Sequence, residues 1–117
     1  MNFQELIRAR YSVRAYKPDP VEDEKLERVL EAFRLAPTAC NLQPFKVVVV
    51  RTKGREEELR RIYKRDWFVQ PPYVAAVCSI PKESWVRKWD GWNSHEVDAT
   101  IAMDHLILAA ASEGLGT

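Results

Sequence analysis

A chain of 117 residues, 46% hydrophobic and 30% charged, suffices for one domain and is too short for two of ordinary size. Lys and Arg number 18 against 17 Asp and Glu, a formal net charge of +1, which excludes both an acidic tail and the basic excess behind non-specific nucleic-acid binding. The longest apolar runs, Tyr73 to Cys78 and Leu106 to Ala111, fall far short of the roughly 20 residues that span a bilayer, so neither a nucleic-acid nor a membrane partner is expected.

The stretch from Met1 to Arg8 shows no basic leader followed by an apolar core, and the expected location is the cytoplasm. Phe3, Leu6 and Ile7 recur at helical spacing. The helix they predict fades at Arg10-Tyr11-Ser12, where a Ser and the β-branched Val13 change the local preference. Lys17-Pro18-Asp19-Pro20 then breaks the chain. Leu26, Val29, Leu30 and Phe33 mark one face of a second helix, with Glu22, Asp23 and Glu24 at its positive end. That helix stops before Pro37, and Pro37 to Pro44 reads as an ordered loop. Cys40, within it, and Cys78 match no CxxC pattern; two free thiols suit a reducing compartment.

Val47 to Arg51 is a β-branched run typical of a strand covered on both faces. Gly54 to Tyr63 predicts a charged helix with Leu59 and Ile62 facing inward, Gln70-Pro71-Pro72 interrupts, and Tyr73 to Ile80 predicts a second buried strand. Pro81 to Asn93 holds Trp85, Trp89 and Trp92 among charges; it is either a mobile wall over a ligand or a buried interface patch. Ser94 is the expected N-cap of a last helix running to about Glu113. Between Ala99 and Ala111 that helix is apolar on nearly every face, which predicts burial all round, centrally or between subunits. Gly114 and Gly116 supply its stop signal. Two strands rarely make a stable sheet alone, so a third is expected beyond Thr117 and the chain reads as cut short.

Two segments carry candidate chemistry. In an extended Arg10-Tyr11-Ser12-Val13-Arg14, alternation points Arg10, Ser12 and Arg14 the same way, and three donors on one side suit a phosphate or another delocalised anion. A solvated charged loop is the competing interpretation. In Pro37-Thr38-Ala39-Cys40-Asn41-Leu42-Gln43-Pro44-Phe45, Thr38, Asn41 and Gln43 offer hydrogen bonds to a planar polar ligand, against a plain helix-to-strand connection. Elsewhere, His95 with Glu96 and Asp98 is better explained by acids at a helix N-terminus than by a metal site. His105 reads as a core or interface histidine. Arg60, Arg61, Lys64 and Arg65 follow Glu56, Glu57 and Glu58 by one turn and read as a solvated, internally paired face.

An Arg-x-Ser-x-Arg segment, then a Pro-Thr-x-x-Asn-x-Gln-Pro-aromatic loop leading into a Val-rich strand, then an apolar helix ending in Gly-Leu-Gly-Thr: in this order and spacing the chain resembles the nitroreductase family of FMN-dependent oxidoreductases along all 117 residues. The resemblance implies an α+β fold with a small central β-sheet flanked by helices. Residues 1–117 would form the N-terminal two thirds or so of a single nitroreductase-like domain, assembled as a homodimer that holds FMN at the subunit interface. Arg10 and Ser12 match the family's contacts to the FMN phosphate and ribityl chain, Tyr11 lies in the same backbone stretch, and Arg14 matches the cation beside the flavin pyrimidine edge. The Pro37 to Asn41 loop, carrying Thr38 and Asn41 and followed by Gln43, would reach the FMN of the second subunit, and the last helix would join the dimer interface. Thr38 and Phe45 stand where the family usually has Ser and Trp, keeping the hydroxyl and the ring. The implied activity is ping-pong hydride transfer from NAD(P)H through FMN to a nitroaromatic, quinone or similar acceptor, with no catalytic residue of the protein's own. The alternative is a non-catalytic dimerising module with an incomplete flavin site.

Overall fold

Asn2 opens the first helix, α1 (Phe3–Ala9), with a reciprocal capping box: its side chain accepts from the Glu5 amide at 3.0 Å, and the Glu5 carboxylate accepts from the Asn2 amide at 2.9 Å. The structure, a computed structural model, describes residues 1–117. α1 ends where the sequence predicts, at Arg10, whose φ of −65° and ψ of 135° are extended. Helix α2 (Asp23–Arg34) follows the proline cluster. A 3₁₀ turn at Ala39–Asn41 leads into β1 (Phe45–Arg51), helix α3 (Glu56–Ile62), a second 3₁₀ turn at Asp66–Val69 and strand β2 (Tyr73–Ser79). Helix α4 (His95–Ser112) completes the order.

The strands pair antiparallel, Phe45 opposite Ser79 and Arg51 opposite Tyr73. Phe45, Val47 and Val77 share one face of that register and pack against a core built from Val29, Phe33 and Ala36 together with Ala102, Leu106 and Ala110 of α4. Phe33 meets Phe45 edge to face at 4.9 Å between ring centroids. Arg28 of α2 makes a two-pronged bond to Glu113, just past α4, at 2.7 Å on each prong, which ties the two helices at their outer end.

The structure corrects the sequence expectation in four places. Neither strand is covered on both faces: α2 and α4 lie on one side only, and Val48 on the other side is 51% exposed. Ile62 does not face inward and is 76% exposed, because Leu59 alone anchors α3 and the chain turns extended at Tyr63, leaving nothing opposite Ile62. Within the single chain helix α4 is not buried all round; burial between subunits, the other expectation, needs a second copy. Asp98, Ala99, Ala102, Leu106 and Ala110 form a buried row at helical spacing while Val97 and Met103 stay exposed, since this chain supplies cover for one face only. Ser94 does precede α4, but its hydroxyl makes no cap bond and donates to the Asp98 carboxyl at 2.8 Å.

The aromatic excursion is a hairpin closed by its own backbone bonds. Val86 pairs with Asn93, Arg87 accepts at its carbonyl from the Gly91 amide at 2.8 Å, and Gly91 takes the left-handed φ of 73° that closes the turn. The Arg87 guanidinium lies 5.2 Å from the Trp89 ring and 5.1 Å from the Trp92 ring while bonding Asp90 at 2.9 and 2.6 Å.

The two arginine–carboxylate pairs give the fold an acid sensitivity of defined sign. The Arg28 guanidinium holds the Glu113 carboxyl below its usual value of 4.5, and Arg87, with the Trp92 amide, holds Asp90 below its usual 3.8. A carboxyl whose folded value is depressed stabilises the fold above its ordinary value and loses that contribution as pH falls through the depressed one. Thermal melting at low salt should therefore shift to lower temperature below about pH 4.5. Arg28→Ala should lower the neutral-pH melting point slightly and shrink the acid-dependent part, as both pairs are exposed and screened; an acid limb identical in Arg28→Ala would remove Glu113 from that role.

Candidate functional site

Helix α4 ends in a turn that decides where the chain goes next. Gly114 takes φ of 77°, its amide donates to the Ala111 carbonyl at 3.0 Å, and the Leu115 amide reaches back to Ala110 at 2.9 Å, the bond pattern of a Schellman motif. The turn sends Leu115 to Thr117 alongside the loop that follows α1. There the Val13 amide donates to the Thr117 carbonyl at 2.8 Å. A Cβ placed on Gly116 would fall 2.9 Å from Val13 Cγ2, so only glycine permits the two segments to lie this close. The Arg-x-Ser-x-Arg segment and the Gly-Leu-Gly-Thr ending, about a hundred residues apart in sequence, are thus one local structure.

Beside it opens a cavity of about 730 Å³ whose lining includes Arg10, Tyr11, Ser12, Val13, Arg14 and Gly114 to Thr117 together with Leu30, Val49, Ala75, Met103 and Ile107. Its volume lies in the ordinary range for small-molecule sites, about 300 to 1,000 Å³. Arg10, Arg14 and Lys17 line it against one acid, Asp19, and none of these three cations has a carboxylate partner, whereas Arg28, Arg55, Arg61 and Arg87 all do. Cations without carboxylate partners and a hydroxyl among apolar side chains suit a planar, anion-bearing ligand, and a flavin mononucleotide is of that chemical kind. Arg10 is half-buried where α1 ends; Tyr11, Ser12 and Arg14 are exposed.

Tyr16 and Trp67 line the same cavity and escape sequence reasoning. The Tyr16 hydroxyl donates to the Val13 carbonyl at 3.2 Å. Burial pushes its phenol above the usual value of 10.0, with the Arg14 charge pulling the other way.

Pro37, Thr38, Asn41 and Gln43 lie elsewhere and line no part of this cavity. Their loop is strained and internally tied. Cys40, Asn41 and Gln43 have φ of 52°, 54° and 50°, a conformation that costs a side-chain-bearing residue roughly 1 to 2 kcal/mol. The Thr38 hydroxyl accepts from the Gln43 amide at 3.1 Å, and the Gln43 side-chain amide turns back to the Arg34 carbonyl at 3.4 Å. Asp98 secures the whole: 3% exposed, it accepts from the Ala39 amide at 3.0 Å and from the Ser94 hydroxyl at 2.8 Å. In the sequence Asp98 is indistinguishable from an ordinary first-turn acid; only its inward face, in step with Ala102 and Leu106, marks it out.

Asp98→Ala would leave the Ala39 amide and the Ser94 hydroxyl without a partner in a buried setting, at a cost of about 1 to 3 kcal/mol. Denaturant unfolding should show that loss, and hydrogen exchange should speed up at residues 39–43 ahead of the rest of the fold. Unchanged exchange there would mean that the loop is held by its own turns.

The sequence pattern of the Nitroreductase family matches residues 7–89. A protein of Archaeoglobus fulgidus named for NADH dehydrogenase and NAD(P)H nitroreductase is 35% identical over 116 residues, 96% of this chain and 63% of its own. An FMN reductase (NAD(P)H) of Bacillus subtilis is 30% identical over 91% of this chain and 48% of its own. Among solved structures, a nitroreductase family protein of Clostridium difficile 630 superposes with a TM-score of 0.88 at 38% identity, covering 99% of this chain and 66% of that one. A nitroreductase of Desulfovibrio desulfuricans in complex with FMN superposes at 0.82 with 27% identity, covering 97% and 64%. The chain thus spans between about half and two thirds of the length of these relatives. The small sheet flanked by helices is the α+β arrangement of these structures, and with the family pattern running from α1 into the aromatic hairpin the chain belongs to the Nitroreductase family.

Proposed function

We propose that this protein is an FMN-dependent oxidoreductase that takes hydride from NAD(P)H and delivers it, in ping-pong fashion, to a nitroaromatic, quinone or similar acceptor. The observation that carries the proposal is the trio of unpaired cations around an apolar cavity beside the Gly114–Thr117 turn. FMN, when bound, supplies the hydride chemistry itself. Arg10 and Ser12 would hold its phosphate and ribityl chain, by charged and neutral hydrogen bonds. Arg14 would supply a positive charge beside the ring system, which would favour the reduced, more negative state and raise its potential. The apolar side chains that β1, β2 and α4 add to the lining would give the ring a hydrophobic surface to lie against. None of these steps needs a protein acid or base.

The reading also requires two copies of the chain. Asp98 holds the Thr38 loop near the start of α4, and Gly114 delivers the Arg10–Arg14 segment at its end. The 14 residue steps of helix from Asp98 to Ser112 separate the two groups by about 21 Å at 1.5 Å per residue, further than one mononucleotide reaches. In a homodimer, Thr38 and Asn41 of one copy can meet the flavin held by Arg10 and Arg14 of the other. Apolar surface is available for such an interface: only 12 of 117 residues are buried, while Val48, Val97 and Met103 are exposed. Cys40 and Cys78, both free and exposed, suit the cytoplasm, and no helix is long and apolar enough to cross a membrane.

Arg10→Ala should weaken FMN by roughly ten- to a hundredfold, the loss of one charged hydrogen bond of about 1.5 to 3 kcal/mol; an unchanged dissociation constant removes Arg10 from the site. For the shared site, Val97→Asp is the cleanest probe. Val97 is half-exposed in the first turn of α4, where an acid suits the helix dipole and leaves the fold intact. Light scattering should show loss of the dimer together with loss of flavin absorbance, and a Val97→Asp monomer with stoichiometric FMN would sink the two-copy site.

A further inference from the structure

The cationic loop does not hold itself in place. Its one internal restraint on Arg14 is the bond from Nη1 to the adjacent Val13 carbonyl, 2.9 Å, and Arg14 is otherwise a long side chain on an exposed segment. Two contacts come from the 3₁₀ turn at residues 66–69, more than fifty positions away. The Arg14 guanidinium carbon sits 4.9 Å from the centre of the Trp67 ring, and Gln70, the residue closing the turn, accepts from the Tyr16 amide at 2.9 Å. The indole is itself wedged, with Tyr63 at 5.4 Å and Tyr16 at 6.4 Å between ring centroids and Phe68 edge-on at 6.3 Å. A ring held on three sides offers a fixed face.

A guanidinium stacked on an aromatic face keeps its in-plane N–H groups free while its orientation is set. An arginine free to swing is solvated and contributes a diffuse charge. One pinned at a cavity rim contributes a charge that needs no reorganisation when the ligand's own charge changes.

We propose that Trp67 is a positioning residue for Arg14. With Gln70 holding the backbone at Tyr16, its indole face fixes the guanidinium at the cavity rim and thereby sets both the affinity for FMN and the potential of the bound flavin. The inference rests on the flavin reading of this cavity. It assigns to the 66–70 turn a role in redox tuning, beyond that of a spacer between α3 and β2.

The test is a double-mutant cycle on the full chain, with FMN dissociation constants from fluorescence titration and midpoint potentials from dye equilibration. Trp67→Leu should weaken FMN by about three- to tenfold and lower the midpoint potential in the same direction as Arg14→Ala. Trp67→Phe, which keeps an aromatic face, should restore most of both. In the Arg14→Ala background, Trp67→Leu should change neither quantity further. Should Trp67→Leu not fold, Gln70→Ala carries the cycle, since it leaves the aromatic cluster in place and should still loosen Arg14. A potential unmoved by Trp67→Leu or Gln70→Ala, or equal effects with and without Arg14, overturns the positioning role while the flavin site stands. Failure of the unsubstituted chain to bind FMN overturns the flavin reading and the inference together.

Discussion

Along its inner face α4 presents Ala102, fully buried, and Ala110, 4% exposed, to the side chains of α2. Small residues there let Val29 and Phe33 seat directly against the helix, with Leu106 filling the gap between the alanines and Phe45 closing the layer from the sheet. This contact determines the rest. If a larger side chain at either alanine forced α2 outward, the Arg28–Glu113 bond would stretch and the Glu113–Gly114 turn would lose its outer restraint. The position of Leu115 to Thr117 against Val13 depends on that turn. Overpacking a core position of this kind costs about 1 to 3 kcal/mol, a large share of the stability of a small domain. The two groups of site residues are therefore spaced by one rigid rod.

What the sequence reveals follows from how local each feature is. Leu26, Val29, Leu30 and Phe33 repeat at helical spacing, and α2 forms where that periodicity lies. Proline and glycine punctuation likewise marks the ends of β2 and α4. The run of four valines, by contrast, has no alternation and cannot say which of its faces is open; the answer, Val48 outward and Val47 inward, depends on which helices arrive and from which side. Arg10, Ser12 and Arg14 are legible as a group because they are neighbours. Their supports are not, because each comes from far along the chain: Gly116 against Val13, Gln70 against Tyr16 at 54 residues' separation, Asp98 against Ala39 at 59. A side chain seen only as a helix-dipole acid and a glutamine read only as part of a chain break turn out to set the geometry of the two candidate segments.

The arginines show how one residue type is divided between architecture and chemistry. Arg28 and Arg87 bond carboxylates through both prongs, and Arg87 is additionally flanked by two indoles. Their donors are used within the chain. Arg14 is stacked on an aromatic face as Arg87 is, but lacks the acid that completes the Arg87 arrangement. The same side chain, held in the same way, is structural in the hairpin and available to a ligand in the cavity. The difference is the absence of one carboxylate.

A helix-to-strand connection of ten residues does not require three side-chain-bearing residues in left-handed conformation, since Gly or Asn fills such positions at little cost. Here Cys40 and Gln43 adopt it along with Asn41. Strain of this order persists only where surrounding contacts over-determine it. Those contacts are identifiable as the Asp98 carboxyl on Ala39, the Thr38 hydroxyl on the Gln43 amide, and the fully buried Pro44 at the loop's end. They hold the loop while leaving Pro37, Cys40, Asn41, Leu42 and Gln43 on the surface. A loop shaped in advance and turned outward surrenders little further conformational entropy when another surface meets it. That is the property needed of a segment whose proposed ligand is held by a second copy of the chain.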